Sequence, residues 1–177
     1  MDEPDRLARF EQAILPHLDA AFNLARWLTS NEHDAEDVAQ EAFLRALKFF
    51  GGFRGGNARA WLLTIVRNTC YNWLKENRAK ALTTEFDETL HDREDPAANP
   101  DALLVRSANA QAVRAAIEQL PVEFREAIVL REMEGLSYKE IAEVSDIPIG
   151  TVMSRLARAR QQLQQSLTEE LPAGDRP

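Results

Sequence analysis

The chain has 177 residues, with 21 Lys and Arg against 29 Asp and Glu, and 45% of its residues are hydrophobic. That is enough apolar content for one large core or two small ones, and the formal charge of −8 repels a polyanion unless the cations are gathered in patches. A single cysteine, Cys70, excludes an internal disulfide, and the scattered His17, His33 and His91 leave no Cys/His set for zinc. The acidic opening "MDEPD" lacks the apolar core of a signal peptide, and no window approaches the roughly eighteen apolar residues of a membrane span, so a cytoplasmic location with no membrane insertion is expected.

Apolar residues recur at spacings of three and four almost throughout, which predicts an all-α fold of about six or seven helices. A first helix is expected from about residue 5 to Leu28, with Pro16 as the place for a bend. A second begins with Asp34 as its cap and runs to about Phe50. "GGFRGGN", residues 51–57, reads as a turn, and a third helix follows from about Ala58 to Lys80. Residues 81–100 mix acids with Pro96 and Pro100 and carry no helical stripe, so they read as a solvated linker. Between residues 79 and 105 there are seven acids against two bases. A helix over 101–119 comes next, then one opened by Pro121 and closed by Gly135, then the two short patterns of "GLSYKEIAEVSDIPIGTVMSRLARAR". The expected architecture is two small helical domains, 1–80 and 101–177, joined by an acidic linker, with a helix-turn-helix in the second.

The cations are indeed gathered. Residues 45–80 hold Arg45, Lys48, Arg54, Arg59, Arg67, Lys75, Arg78 and Lys80 against the single acid Glu76. On the second helix, Ala35, Val38, Ala39, Ala42, Phe43, Ala46 and Phe50 define a core side. Asp37, Gln40, Glu41, Leu44 and Lys48 lie opposite. An apolar centre ringed by charge is the anatomy of a protein-docking patch, although one exposed leucine alone needs no explanation. The third helix turns Leu62, Ile65, Val66, Thr69 and Trp73 inward. Thr64, Arg67, Asn68, Tyr71, Asn72, Lys75 and Arg78 share the outer face, with Trp61 at the edge and open to either reading. Cations that follow phosphates, rings that stack on bases and amides that bond to unpaired base edges together suit single-stranded DNA. Arg54, Asn57 and Arg59, in the loop and helix start, add positive charge and exposed amides beside that face.

In the last stretch, Ser137 and Glu140 form a capping box, so a helix begins at Tyr138; "SDI" breaks it and Pro148 restarts one. On this final helix Ile149, Val152, Leu156, Ala159 and Leu163 form the expected buried stripe, with Thr151, Ser154, Arg155 and Arg158 opposite. Arginine forks for guanine edges or phosphates, beside small hydroxyl residues, have the composition of a helix that reads the major groove; a solvated bundle face is the plainer alternative.

The stretch "LPVEFREAIVLREMEGLSYKEIAEVSDIPIGTVMSRLARAR" resembles the C-terminal domain of bacterial sigma factors of the extracytoplasmic-function class. "DAEDVAQEAFLRAL" followed by "FRGGNARAWLLTIVRNTCYNWLKENR" resembles the second conserved region of the same family. The resemblance implies a transcription initiation factor that binds core RNA polymerase through Asp37, Gln40, Glu41 and Leu44. It implies recognition of minus-thirty-five duplex through Thr151, Ser154, Arg155 and Arg158. It further implies opening of the minus-ten element through the third helix and its loop, with Arg54, Asn57, Arg59, Trp61, Arg67, Asn68, Tyr71, Asn72 and Lys75 as candidate contacts and Asn68 at the position of a recognition residue. An anti-sigma factor as regulator, a linker threaded through the polymerase and a monomeric free state are also implied. Met153 departs from the family pattern, standing where a lysine is common. The additional domains of the primary sigma factors are not expected, and the tail "TEELPAGDRP" carries no functional reading. Neither a metal set nor a phosphate cradle nor a nucleophile triad is recognisable, so no catalysis and no cofactor are expected. An operator-binding helix-turn-helix regulator without sigma function, or an adaptor that sequesters a protein, are the rival readings. Cys70 is expected to be a buried, inert thiol.

Overall fold

The computed structural model describes residues 2–83 and 104–170; the predicted acidic linker lies outside them from residue 84 on, and the C-terminal tail from residue 171 on. Helix α1 (Glu3–Ile14) gives way to a tight 3-10 turn, Leu15–His17, before α2 (Leu18–Thr29). The single bent helix expected here is therefore two helices. Pro16 has no N–H to donate, and the backbone is carried past it by the Leu15 N–H bonding to the Glu11 carbonyl and the Leu18 N–H to the Leu15 carbonyl. Ser30, at φ 59°, closes α2, and Asn31 then caps α3 (Glu32–Phe49), its side-chain oxygen accepting from the Asp34 N–H at 3.0 Å. The cap is thus Asn31 rather than Asp34, which sits in the first turn where its charge complements the helix N-terminus.

A 3-10 turn, Phe50–Gly52, leads to the loop before α4 (Ala58–Thr83), which extends three residues past the expected Lys80. Phe10 from α1 meets Phe43 and Phe50 edge-on with centroids 5.2 and 5.3 Å apart, and Leu24, Leu28, Val38, Leu62, Leu63 and Val66 complete the core of this half. Trp73, expected in the core, is only half-buried and packs on its margin.

The second half comprises α5 (Leu104–Glu118), α6 (Val122–Ile128) continued by a π-helical turn, Val129–Met133, then α7 (Tyr138–Ser145) and α8 (Ile149–Glu170). Gly135, at φ 67°, supplies the left-handed backbone that lets the chain leave the π turn and enter α7. Both reciprocal bonds of the Ser137/Glu140 capping box are present, at 3.0 and 3.1 Å. Asp146, at φ 53°, ends α7, and the Pro148 carbonyl receives the Thr151 and Val152 N–H groups that start α8. Val152, Leu156 and Ala159 are buried as expected and Leu163 is half-buried. Ile149 is not in the stripe: it is 45% exposed, because the first turn of α8 projects beyond the cover of its neighbours.

The two halves pack on each other. Helix α4 lies against α7 and α2 against α6, and buried side chains of both halves belong to one apolar cluster. Trp27 of α2 is 8% exposed, with the Arg114 guanidinium of α5 over its ring at 5.9 Å.

Candidate nucleic-acid and polymerase interfaces

Three surfaces carry the residues singled out by the sequence. On α8, Ser154 and Arg158 are exposed and Thr151 and Arg155 half-buried, while Val152 and Leu156 anchor the opposite side. The helix is held by the capped α7, so the polar face is presented from a fixed support. Ile149 and Met153, 45% and 53% exposed and one turn apart, place an apolar edge beside it.

On α3, Asp37, Gln40, Glu41 and Leu44 are all exposed, and Glu41 pairs with Arg45. Leu44, 63% exposed, is not isolated. With Gln40 it borders an apolar groove of about 480 Å³ whose floor is made by Leu18, Phe22, Phe43 and Val66. No spacing along one helix signals this groove, since its walls come from three helices.

On α4 and its loop, the nine candidates divide. Arg54, Asn68, Asn72 and Lys75 are exposed. Trp61 is half-buried and packs on Phe53 and Phe50 with centroids 5.2 and 6.2 Å apart, which makes it an anchor for the loop as well as a neighbour of the face. Asn57 caps α4, its side-chain oxygen accepting from the Ala60 N–H at 3.0 Å while its amide donates to Glu140 at 2.6 Å. Arg59 donates to the Glu134 carbonyl at 2.9 Å, Arg67 to Glu126 at 2.8 Å, and the Tyr71 hydroxyl to the other Glu126 oxygen at 2.8 Å. The Arg67 guanidinium also lies over the Tyr71 ring at 4.0 Å.

Glu126 was not singled out by sequence reading. It is 1% exposed and accepts a further bond from Ser145 at 3.1 Å. A signal was available: it falls one turn after Val122 and one before Val129 and Leu130, on the apolar side of its helix, where a carboxylate needs partners. Burial disfavours the Arg67 charge, but the Glu126 carboxylate together with Tyr71 more than offsets this and holds the guanidinium pKa above its ordinary value. Burial first, then the same carboxylate, pushes the Tyr71 hydroxyl well up, so it remains a donor. Cys70, fully buried behind this cluster, is pushed up to about 12 chiefly by burial, in keeping with an inert thiol.

A helix-turn-helix module beside a helical module with a basic and aromatic helix defines a two-part, all-α DNA-binding protein. Family models match in the same order: sigma-70 region 2 over residues 13–80 and sigma-70 region 4 over residues 110–163. The ECF RNA polymerase sigma factor SigE of Mycolicibacterium smegmatis is 36% identical, over 95% of this chain and 70% of that one. The RNA polymerase sigma-H factor of Pseudomonas aeruginosa is 36% identical, over 89% of this chain and 86% of that one. Among solved structures, the sigma factor RpoE of Bartonella quintana, in complex with the anti-sigma factor NepR, is similar with a TM-score of 0.74 and 30% identity, covering 92% of this chain and 99% of that one. The chain belongs to the ECF (extracytoplasmic-function) class of RNA polymerase sigma factors, and is thereby a transcription initiation factor. None of the described helices is long and apolar enough to cross a membrane.

Proposed function

We propose that the first half, residues 1–80, binds core RNA polymerase and opens the minus-ten element, and that the second, residues 101–177, reads the minus-thirty-five element as duplex. The carrying observation is the division of the surface. An acidic α3 face with Leu44 beside an apolar groove, a cationic and aromatic α4 face, and the α8 face with exposed Ser154 and Arg158 offer three chemistries to three targets. Core polymerase meets Asp37, Gln40, Glu41 and Leu44. Minus-thirty-five DNA meets Thr151, Ser154, Arg155 and Arg158. Minus-ten DNA meets Asn68 with Arg54, Asn57, Arg59, Trp61, Arg67, Tyr71, Asn72 and Lys75.

The protein acts as a cytoplasmic, non-catalytic subunit, with residues 81–100 as the tether between the two DNA-reading halves. An anti-sigma factor, like the one bound to the similar Bartonella quintana protein, holds it inactive by covering the polymerase and promoter faces. The test is transcription of sheared genomic DNA by core polymerase with and without the chain. New, discrete start sites that disappear with Asn68→Ala support the reading. Sequence-specific duplex binding with no transcripts at any polymerase concentration would mark an operator-binding regulator instead.

A further inference from the structure

Helix α8 leaves two large apolar side chains in the open beside its polar face. Ile149 is 45% exposed and Met153 53%, while Val152 and Leu156 on the far side are buried. On a wheel of about 100° per residue, buried Val152, Leu156 and Ala159 fix the inner direction. Ser154 then lies near the centre of the outer face, with Met153 about 90° to one side of that centre and Arg155 about 110° to the other. Arg158 stands on the Arg155 side, so the outer face has a cationic half and an apolar edge. Arg160, the cation that follows on the apolar edge, is tied to Glu132 at 2.9 Å. The edge at Ile149 and Met153 therefore offers hydrocarbon where the other half offers charge. We infer that Ile149 and Met153 read the 5-methyl groups of thymines in the minus-thirty-five duplex, as specificity-determining residues of this chain. This rests on α8 being the helix that enters the major groove.

Thymine is the base that presents a methyl group in the major groove, and apolar side chains are its partners there, as a guanidinium fork is for guanine. The place on the helix suits the task. Residues at the N-terminal end of a recognition helix contact base edges, and Ile149 is the first residue of α8 with Met153 one turn later. Four residues at about 1.5 Å of rise set the two about 6 Å apart along the axis. That is between one and two base steps of about 3.4 Å, so thymines at adjacent or next-adjacent steps fall within reach of the pair. The two side chains differ in manner. Ile149 is branched at Cβ and stiff at χ1, so it demands a methyl at one place, whereas unbranched Met153 adapts to where the methyl lies. A protein seated on this edge is a poorer match: two side chains fall far short of the roughly 800 Å² per partner of a stable protein interface. A pair of base methyls needs no more than an edge, and this one is continuous with Ser154 and Arg158 of the duplex-reading face.

Uracil in place of thymine tests the contact, since it pairs with adenine in the same way and lacks only the methyl. Core RNA polymerase loaded with the full chain selects its preferred duplex from a random-sequence library, and each thymine of that duplex is then replaced singly by uracil. Loss of one buried methyl is worth about fourfold in affinity. With the original chain, a weakening of that size is expected at two thymines one or two steps apart. Met153→Ala should abolish the difference between thymine and uracil at one of them and Ile149→Ala at the other, while Met153→Leu retains it. Pairing the base change with the side-chain change removes any effect of uracil on the duplex itself, which would persist in the variants. Both positions are exposed, so the alanine variants are expected to fold, as circular dichroism checks, and the uracil arm uses the unaltered chain. A selected duplex that tolerates uracil at every thymine, or a penalty that is the same in Met153→Ala and Ile149→Ala as in the original chain, overturns the proposal. If that duplex still requires Arg158, as shown by weaker binding of Arg158→Ala, the methyl contacts alone are refuted. If Arg155→Ala and Arg158→Ala also leave binding unchanged, the reading of α8 as the duplex-reading helix fails and the proposal falls with it.

Discussion

Leu44→Asp separates a docking residue from a structural one by magnitude. Leu44 is 63% exposed on α3, so its replacement changes folding stability by no more than about 0.5 kcal/mol. Full burial of a leucine is worth about 1.5–3 kcal/mol, and with roughly two-thirds of the side chain still open to be covered, a protein surface seated on the groove gains about 1–2 kcal/mol from it. The aspartate forfeits that gain and leaves an unpaired carboxylate against apolar walls, a further cost of about 1–3 kcal/mol. The total, about 2–5 kcal/mol, predicts a loss of polymerase affinity of at least about thirtyfold. The assay is anisotropy of the labelled chain titrated with core polymerase, with thermal melting alongside and Leu44→Met as a variant that keeps the apolar contact. Affinity within threefold of the original, with unchanged melting, would refute the placement of polymerase on this groove.

Ser137→Ala removes the acceptor for the Glu140 N–H while leaving the reciprocal carboxylate bond, so a loss of about 1 kcal/mol is expected in urea unfolding. Arg158→Ala, at an exposed position of α8, should weaken minus-thirty-five duplex binding; a drop in the salt slope by about one marks a phosphate contact, and a loss of about 1–3 kcal/mol restricted to one base pair marks a base contact. Cys70, with its thiol pushed up to about 12 by burial against an unfolded value near 8.5, is protonated at pH 8 in the folded chain. A disulfide reagent at that pH should therefore label the native protein negligibly and the guanidinium-unfolded protein completely, as read by absorbance.

The helices were legible because their buried positions repeat at the helical period, and the helix-turn-helix because Ser137, Glu140 and Pro148 mark its boundaries chemically. Local competition limited the rest. The run "SNEHD" offers several capping side chains in succession, and only the backbone decides that Asn31 takes the role. Ile149 has the correct period for the stripe but stands where α8 outruns its neighbours, which periodicity along one helix does not register. The burial of Glu126 was signalled by its place on the apolar side of its helix, but its partners, like the walls of the apolar groove, were out of reach for another reason. Arg67 and Tyr71 lie 59 and 55 residues from Glu126, and a pairing at that separation follows from how the two halves pack rather than from any spacing in the chain.

The burial of Trp27 under Arg114 has a spectroscopic consequence. An indole shut away from water emits at shorter wavelength than one in contact with it, and here part of the cover is a side chain from the opposite half. Separation of the halves exposes the Trp27 indole to water and shifts its emission to the red. Among the described residues, no guanidinium lies over Trp61, held on Phe53 and Phe50, or over Trp73, on the margin of the first core. The unmodified chain therefore carries a native optical gauge of its own opening, readable without attached dyes.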